Sequence, residues 1–333
     1  MQAIDKSVKA VVIGAGTGSF TVITGLKQYL RNITTVVNMT DSGGSTGVLR
    51  DELGALPPGD ARQHLVALAN RSDLVRELFN YRFGGNTFKG HSFGNLFLAA
   101  LEDMTGDFEQ ALSVAGEILD ISGKVLPVTT TQTNLCLVRE GQDVCGEDNI
   151  LGTVIEQKKP EFYLEPTAKL NPRARQAILD ADLLVFGPGG FYTSLMTILL
   201  TEGIVEAIAQ SKAKRVFISN LMTQPNQSRD YNLDDFVDEL ERFTAGRIFD
   251  YIVYNNAQPA NVLIDRYLAE NERLIDVSPK IINRVKARGY KTYGDLLISH
   301  DIAETNQVDL MQRSLIRHDP DSLARAIMRC YFD

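Results

Sequence analysis

Apolar, β-branched runs recur along the 333-residue chain, and four of them end in short polar turns. KAVVI leads into GAGTGS, ITTVV into NMTDSGGSTG, LLVF into GPGGFYTS, and AKRVFI into SNLMTQPNQS. Helix-like stretches lie between the runs: SFTVITGLKQYLRN, ARQHLVALAN from Asp60, HSFGNLFLAALEDM, DFEQALSVAGEILD, NPRARQAILDAD and a last one from about Asp319. Strands alternating with helices argue for an α/β chain: a doubly wound, mostly parallel sheet with helices on both faces. Ligands of such sheets bind beyond the carboxyl ends of the strands. Four small polar exits on that one edge therefore imply a shared polar cleft.

The rhythm breaks once. KVLPVTTTQTNLCLVREGQDVCGED alternates like strands, with a turn at Glu140–Gly141. It reads as a β-rich excursion at about 123–164 from a single domain spanning 1–333.

Bulk properties narrow the partners. A hydrophobic fraction of 44% suffices for a large core. A net charge of −8 repels nucleic-acid backbones and anionic membranes, so neither is expected as a partner. No apolar run reaches the length of a membrane span, and the first segment reads as a strand, not a signal peptide. The cysteines, Cys136, Cys145 and Cys330, are few and lack metal-ligand spacing, which fits a reducing cytoplasm. A homo-oligomer is the expected assembly.

Each exit has its own chemistry. Gly14, Gly16, Thr17 and Gly18 form a variant of the dinucleotide fingerprint, with Ser19 in the third glycine's place. Glycines let backbone approach a phosphate, and the following helix offers free N–H groups. A tight turn without a ligand explains the same residues. Gly187, Pro188 and Gly189 repeat the pattern, and Thr193 offers a hydroxyl in the next helix's first turn. In the second exit, Asn38 is followed by Asp41, which can take ribose hydroxyls or a Mg²⁺ beside a diphosphate. Ser42, Gly43, Gly44 and Ser45 can present successive N–H groups as an anion nest. Arg50 and Arg62 suit bidentate contacts to phosphate or carboxylate, and Asp60 is placed to cap the helix it precedes. His91 and Asn95, four apart at a helix start, can face one cleft. Asn220 lies in the fourth exit. His64 reads as structural. No zinc spacing, nucleophile elbow or phosphate-loop lysine occurs. No cofactor is fixed by the residues beyond Mg²⁺ as a candidate at Asp41.

Taken in order, IGAGTG, TDSGGSTGVLRDELG, PPGDARQ, GHSFGNLFLAAL, FGPGGFYTSL, NLMTQP and IRHD span nearly the whole chain. Together they closely resemble the CofD-like superfamily, and GHSFGN, MTQP and IRHD resemble its YvcK-like branch, the gluconeogenesis factors. The resemblance implies a Rossmann-like fold and, for that branch, UDP-sugar binding of the UDP-N-acetylglucosamine type. It also implies a regulatory role in carbon metabolism, cell-wall precursor supply and cell shape. The family's loops map onto Gly14–Gly18, Asp41–Gly47 and Gly187–Gly189. Its late motif maps onto Arg317, His318 and Asp319, with Arg317 as a diphosphate contact and Tyr267 as a stacking or hydroxyl contact nearby. The chain departs from the pattern with GAGTG for GGTG, DARQH for DIRN and PNQS for PGET, so Asn226 and Ser228 bear on the identity of the sugar.

Three functions remain in competition. The first is a nucleotide-sugar-binding regulator. The second is a transferase of the 2-phospho-L-lactate type, acting on a nucleotide with Mg²⁺ near Asp41, since such chemistry needs positioning and charge neutralisation more than a nucleophile. The third, ranked last, is an NAD-dependent oxidoreductase, which the first glycine loop alone allows.

Overall fold

The computed structural model describes residues 5–71, 73–85, 88–155, 159–299 and 315–333. Its strands are β1 (Asp5–Gly14), β2 (Leu30–Val37), β3 (Lys124–Pro127), β4 (Asn134–Leu137), β5 (Val144–Cys145), β6 (Phe162–Glu165), β7 (Leu183–Phe186), β8 (Lys214–Ile218), β9 (Tyr251–Asn255) and β10 (Lys291–Asp295). Seven of them form one sheet in the order β10-β9-β8-β7-β1-β2-β3, and every pairing in it is parallel.

Counted within this sheet, β1 is first and β7 fourth, and they lie side by side. The chain winds outward from β1 through β2 to β3, then returns to β7 and winds the other way. This is the doubly wound order with a seventh strand added, and the switch point falls between β1 and β7. All four residues of β7 are buried, as a parallel strand covered on both faces requires. The helix Gly16–Leu26 packs against the helices Pro58–Leu68 and Pro320–Phe332.

Several local outcomes differ from the sequence expectation. The first helix stops at Leu26, and Leu30 already belongs to β2. The glycine-rich segment after β2 is a helix over Gly44–Leu53 rather than a loop. The sequence assigns Lys124–Pro127 to the excursion, but that segment pairs with β2 as the edge strand of the main sheet. The excursion's own sheet is β5-β4-β6, antiparallel, with a short helix Glu147–Leu151 after β5. Cys136 and Cys145 stand directly opposite in the β4–β5 register and form a disulfide. Sparse, odd-numbered cysteines gave no sign of this, because only the hairpin's register brings them together. No helix among the described residues is long and apolar enough to cross a membrane.

Candidate functional site

The exits of β1 and β7 interlock at the switch point. Gly16 has φ of +64°, a left-handed conformation that favours glycine, and it starts the first helix. Thr17 follows, exposed. A Cβ on Gly18 would lie 1.8 Å from the Pro188 carbonyl oxygen. Gly18 thus lets the two loops pack closely, with no room for a side chain between them. Ser19, in the third fingerprint position, is buried with its hydroxyl against Gly14 and Gly187. Gly189 offers its carbonyl to Asn220 Nδ2 at 2.8 Å, which ties the β8 exit to the β7 exit.

The β2 exit contributes acid. Asn38 is buried and donates to Thr40 Oγ1 and to the Thr193 carbonyl, joining the β2 and β7 exits. Asp41 Oδ1 accepts from the Gly43 N–H at 2.9 Å, next to the start of the Gly44–Leu53 helix. The Ser42 hydroxyl accepts from the Asp148 N–H. Ser45 is in that helix, and its side chain lies outside the described part of the structure. Asp60 does not cap its own helix. That helix starts at Pro58, and the Asp60 carboxylate instead accepts from the Gly16 N–H at 2.9 Å. A helix N-terminus attracts an anion, and here the protein supplies its own.

Burial raises the pKa of these acids. Asp60 is pushed up to about 7 by desolvation and by the neighbouring charge of Asp41. Asp41 is raised by burial, against the opposing effect of the Gly43 N–H and the Thr46 hydroxyl. Glu147, delivered by the excursion's short helix, is raised well above the ordinary carboxylate range by burial and then by Asp41 and Asp60. Glu147 also hydrogen-bonds Thr193. Among the described residues no three His, Cys, Asp or Glu side chains form a closed metal cage. Mg²⁺ does not need one, because it is usually held by one or two carboxylates plus phosphate oxygens and water.

Arg62, expected to bind phosphate, and Asn95, expected to face the cleft, support Asp41 through a chain of hydrogen bonds. Arg62 is 5% exposed, and its Nε donates to Asn95 Oδ1 at 2.9 Å. The same guanidinium reaches Asn80 and the Phe79 carbonyl. Asn95 Nδ2 reaches Thr46 Oγ1 at 3.4 Å, and Thr46 hydrogen-bonds Asp41. The chain Arg62–Asn95–Thr46–Asp41 therefore positions the acid. His91 precedes the helix that begins at Phe93, with Ser92 as its cap, so His91 and Asn95 do not share a helical face. Arg50 donates to Asn134 Oδ1 at 2.8 Å, tying the Gly44–Leu53 helix to the excursion.

Behind the β7 loop, Phe191–Met196 forms a π-helical turn instead of an α-helix start. Gln227 serves that turn: its Oε1 accepts from the Tyr192 and Thr193 N–H groups and its Nε2 donates to Thr193 Oγ1. Tyr267 is 8% exposed, and its hydroxyl accepts from the Leu315 and Ile316 N–H groups. It braces the segment that carries Arg317. Arg317 itself sits beside the β10 exit, where its carbonyl accepts from the Ser299 N–H. Glu147, Asp148 and Gln227 are the participants that sequence reasoning missed. CGED placed an acid pair directly after a hairpin strand, the one signal that could have drawn attention to the first two.

A family model described as "2-phospho-L-lactate transferase CofD" matches residues 10–297. The chain is 38% identical over 326 residues to a Thermotoga maritima protein named "Putative gluconeogenesis factor", covering 96% of this chain and 98% of that one. It is 34% identical over 323 residues to the "Gluconeogenesis factor" of Bacillus subtilis, covering 96% and 97%. A crystal structure of a member of the UPF0052 family from Bacillus halodurans superposes with a TM-score of 0.86 at 33% identity, covering 98% of this chain and 99% of that one.

Proposed function

The chain belongs to the CofD family and is homologous to the gluconeogenesis factors, and from that membership we propose that it is a regulator that binds a nucleoside diphosphate sugar of the UDP-N-acetylglucosamine type. The observation that carries this reading is the meeting of the β1, β2 and β7 exits at the switch point, with Asp41 at the start of the Gly44–Leu53 helix and Asp60 at the start of the Gly16–Leu26 helix. The diphosphate lies across the β7 loop and the Gly43–Gly44 turn. Asp41 holds a Mg²⁺ that screens the phosphates from the local carboxylates, a need set by the acid cluster itself. Occupancy of the rim then reports sugar-nucleotide supply to carbon metabolism and cell-wall synthesis.

The deciding experiment is a thermal-shift panel of UDP-N-acetylglucosamine, UDP-glucose, GDP, GMP and NAD, with and without Mg²⁺. A ligand of the native state raises the melting temperature with concentration. A uridine-specific shift without turnover supports the regulator, and a flat response to every nucleotide discards it. Asp41→Asn should abolish the Mg²⁺-dependent part of the shift.

One observation favours the transferase as a second reading: Asp60, beside Asp41, is a carboxyl poised to hold a proton near pH 7. A guanine-specific, Mg²⁺-dependent shift with release of nucleoside monophosphate from a phospholactate-linked nucleotide would select it.

A further inference from the structure

We propose that the cleft between the exits of β8 and β9 is the seat of the ligand's nucleobase, an inference that rests on nucleotide binding at the adjoining switch point. The cleft has a volume of about 70 Å³. One water needs about 10–15 Å³ on the same scale, so the space suits a single flat ring and not a second nucleotide. Its lining is of two kinds. Leu221, Leu274, Ile275 and Val277 line it with apolar side chains, and Asn220, Asn255, Asn256 and Gln258 line it with carboxamide-bearing ones.

No charged side chain lines the cleft. A phosphate or carboxylate would find nothing there to neutralise it. A pyranose carries hydroxyls around its whole rim and would leave several of them against leucine and valine. A planar heterocycle with apolar faces and an amide or imide edge matches both surfaces. Carboxamides donate and accept together, so they can pair with such an edge in either pattern. Neither Asn256 nor Gln258 has a side-chain hydrogen bond among the described residues, and both are exposed at the mouth. Asn255, by contrast, spends its side chain holding the Ala257 and Leu297 N–H groups and shapes the loop.

The position also fits. Asn220 touches the Gly189 carbonyl at 2.8 Å, so the cleft adjoins the β7 loop directly. Neighbouring strands are spaced about 4.8 Å apart, so the gap between β8 and β9 lies roughly one and a half spacings from β7. A ribose bridges a span of that order between a diphosphate and its base. Leu221 also packs with Ile316, the residue before Arg317, so the late arginine segment borders the same end of the rim.

The test is calorimetric titration of the full chain with UDP, UDP-N-acetylglucosamine, CDP, GDP and magnesium pyrophosphate. Three proteins are compared: the unmodified chain, Asn256→Ala/Gln258→Ala, and Val277→Phe, which fills the cleft. The expected result is a loss of tenfold or more in affinity for the preferred nucleoside diphosphate in both variants, a collapse of discrimination among bases, and pyrophosphate affinity unchanged within twofold. If the variants bind every nucleoside diphosphate as the unmodified chain does, the base sits elsewhere and the proposal fails. If only the sugar nucleotide weakens while UDP does not, the cleft takes the sugar and the proposal also fails. A chain that binds no nucleotide at all overturns the parent reading, a result plainly different from either. Unchanged melting temperatures of the two variants without ligand exclude misfolding as the cause.

Discussion

The Gly16 amide donates to Asp60 Oδ1 at 2.9 Å across 44 residues of sequence. The N-terminus of the first helix, where a Rossmann-type glycine loop ordinarily meets a phosphate, is thereby occupied by the chain's own carboxylate. That contact moves the proposed diphosphate toward the β2 and β7 exits and leaves a buried acid whose protonation responds to its surroundings.

The first prediction concerns pH. An unfolded Asp60 titrates near 3.8 and the folded one near 7. Between those values the native chain retains a proton that the unfolded chain has released, so this group's contribution falls as pH rises from about 4 to about 7, then levels off. His64 and His318 act in the opposite sense. Burial pushes them down to about 3 and about 4 from 6.5, so their contribution is lost as pH falls through that range. Asp60→Asn keeps an acceptor for Gly16 and removes the first slope only. Denaturant unfolding at pH 5 to 8 should show the variant gaining on the unmodified chain as pH rises, on the order of 2 kcal/mol at pH 8. Parallel curves would refute the assignment.

Two glycines in one loop should respond differently. Gly18→Ala drives a methyl into the Pro188 carbonyl, which is backbone and cannot swing aside, so a cost of about 3 kcal/mol is expected. Gly16→Ala meets open space and suffers only its positive φ, about 1 kcal/mol. Equal melting temperatures for the two variants would show that the loops do not interlock.

Gln227→Ala removes the acceptor of two buried N–H groups at the π-helical turn. Leaving buried donors unpaired costs about 1–3 kcal/mol. Hydrogen exchange at Tyr192 and Thr193 should accelerate, and nucleotide affinity should fall with it. Unaltered exchange there would remove Gln227 from the site's support.

Tyr267→Phe and Arg317→Ala separate bracing from binding. The first strips the Leu315 and Ile316 N–H groups of their acceptor and should lower stability by about 1–3 kcal/mol. The second should weaken diphosphate ligands while shifting the melting temperature little. Unchanged affinity in Arg317→Ala would discard Arg317 as a ligand contact.

The Cys136–Cys145 bridge closes a short loop, nine residues apart in sequence. Chain-entropy arguments give it about 2–3 kcal/mol. A thiol reductant should lower the melting temperature of the unmodified chain and leave Cys145→Ser unmoved. The same treatment should loosen Glu147, two residues beyond the bridge.

The pattern of apolar runs and polar exits determined the sheet class and the strands β1, β2, β7 and β8, and pointed to the edge of the candidate site, because burial and backbone pairing act locally on those runs. It also singled out Asp41, Asp60 and the two glycine loops, whose residue types are unusual at strand ends. What the tertiary structure decided is which partner each side chain meets. Arg62 carries the residue type of a phosphate ligand, yet it lies buried on Asn95 because the Phe93–Thr105 helix packs beside its own. Glu147 and Gln227 enter the site from an excursion and a distant loop, and the cysteines meet through hairpin register. Such long-range neighbours depend on how helices and strands dock, a property of three-dimensional packing that no local spacing encodes.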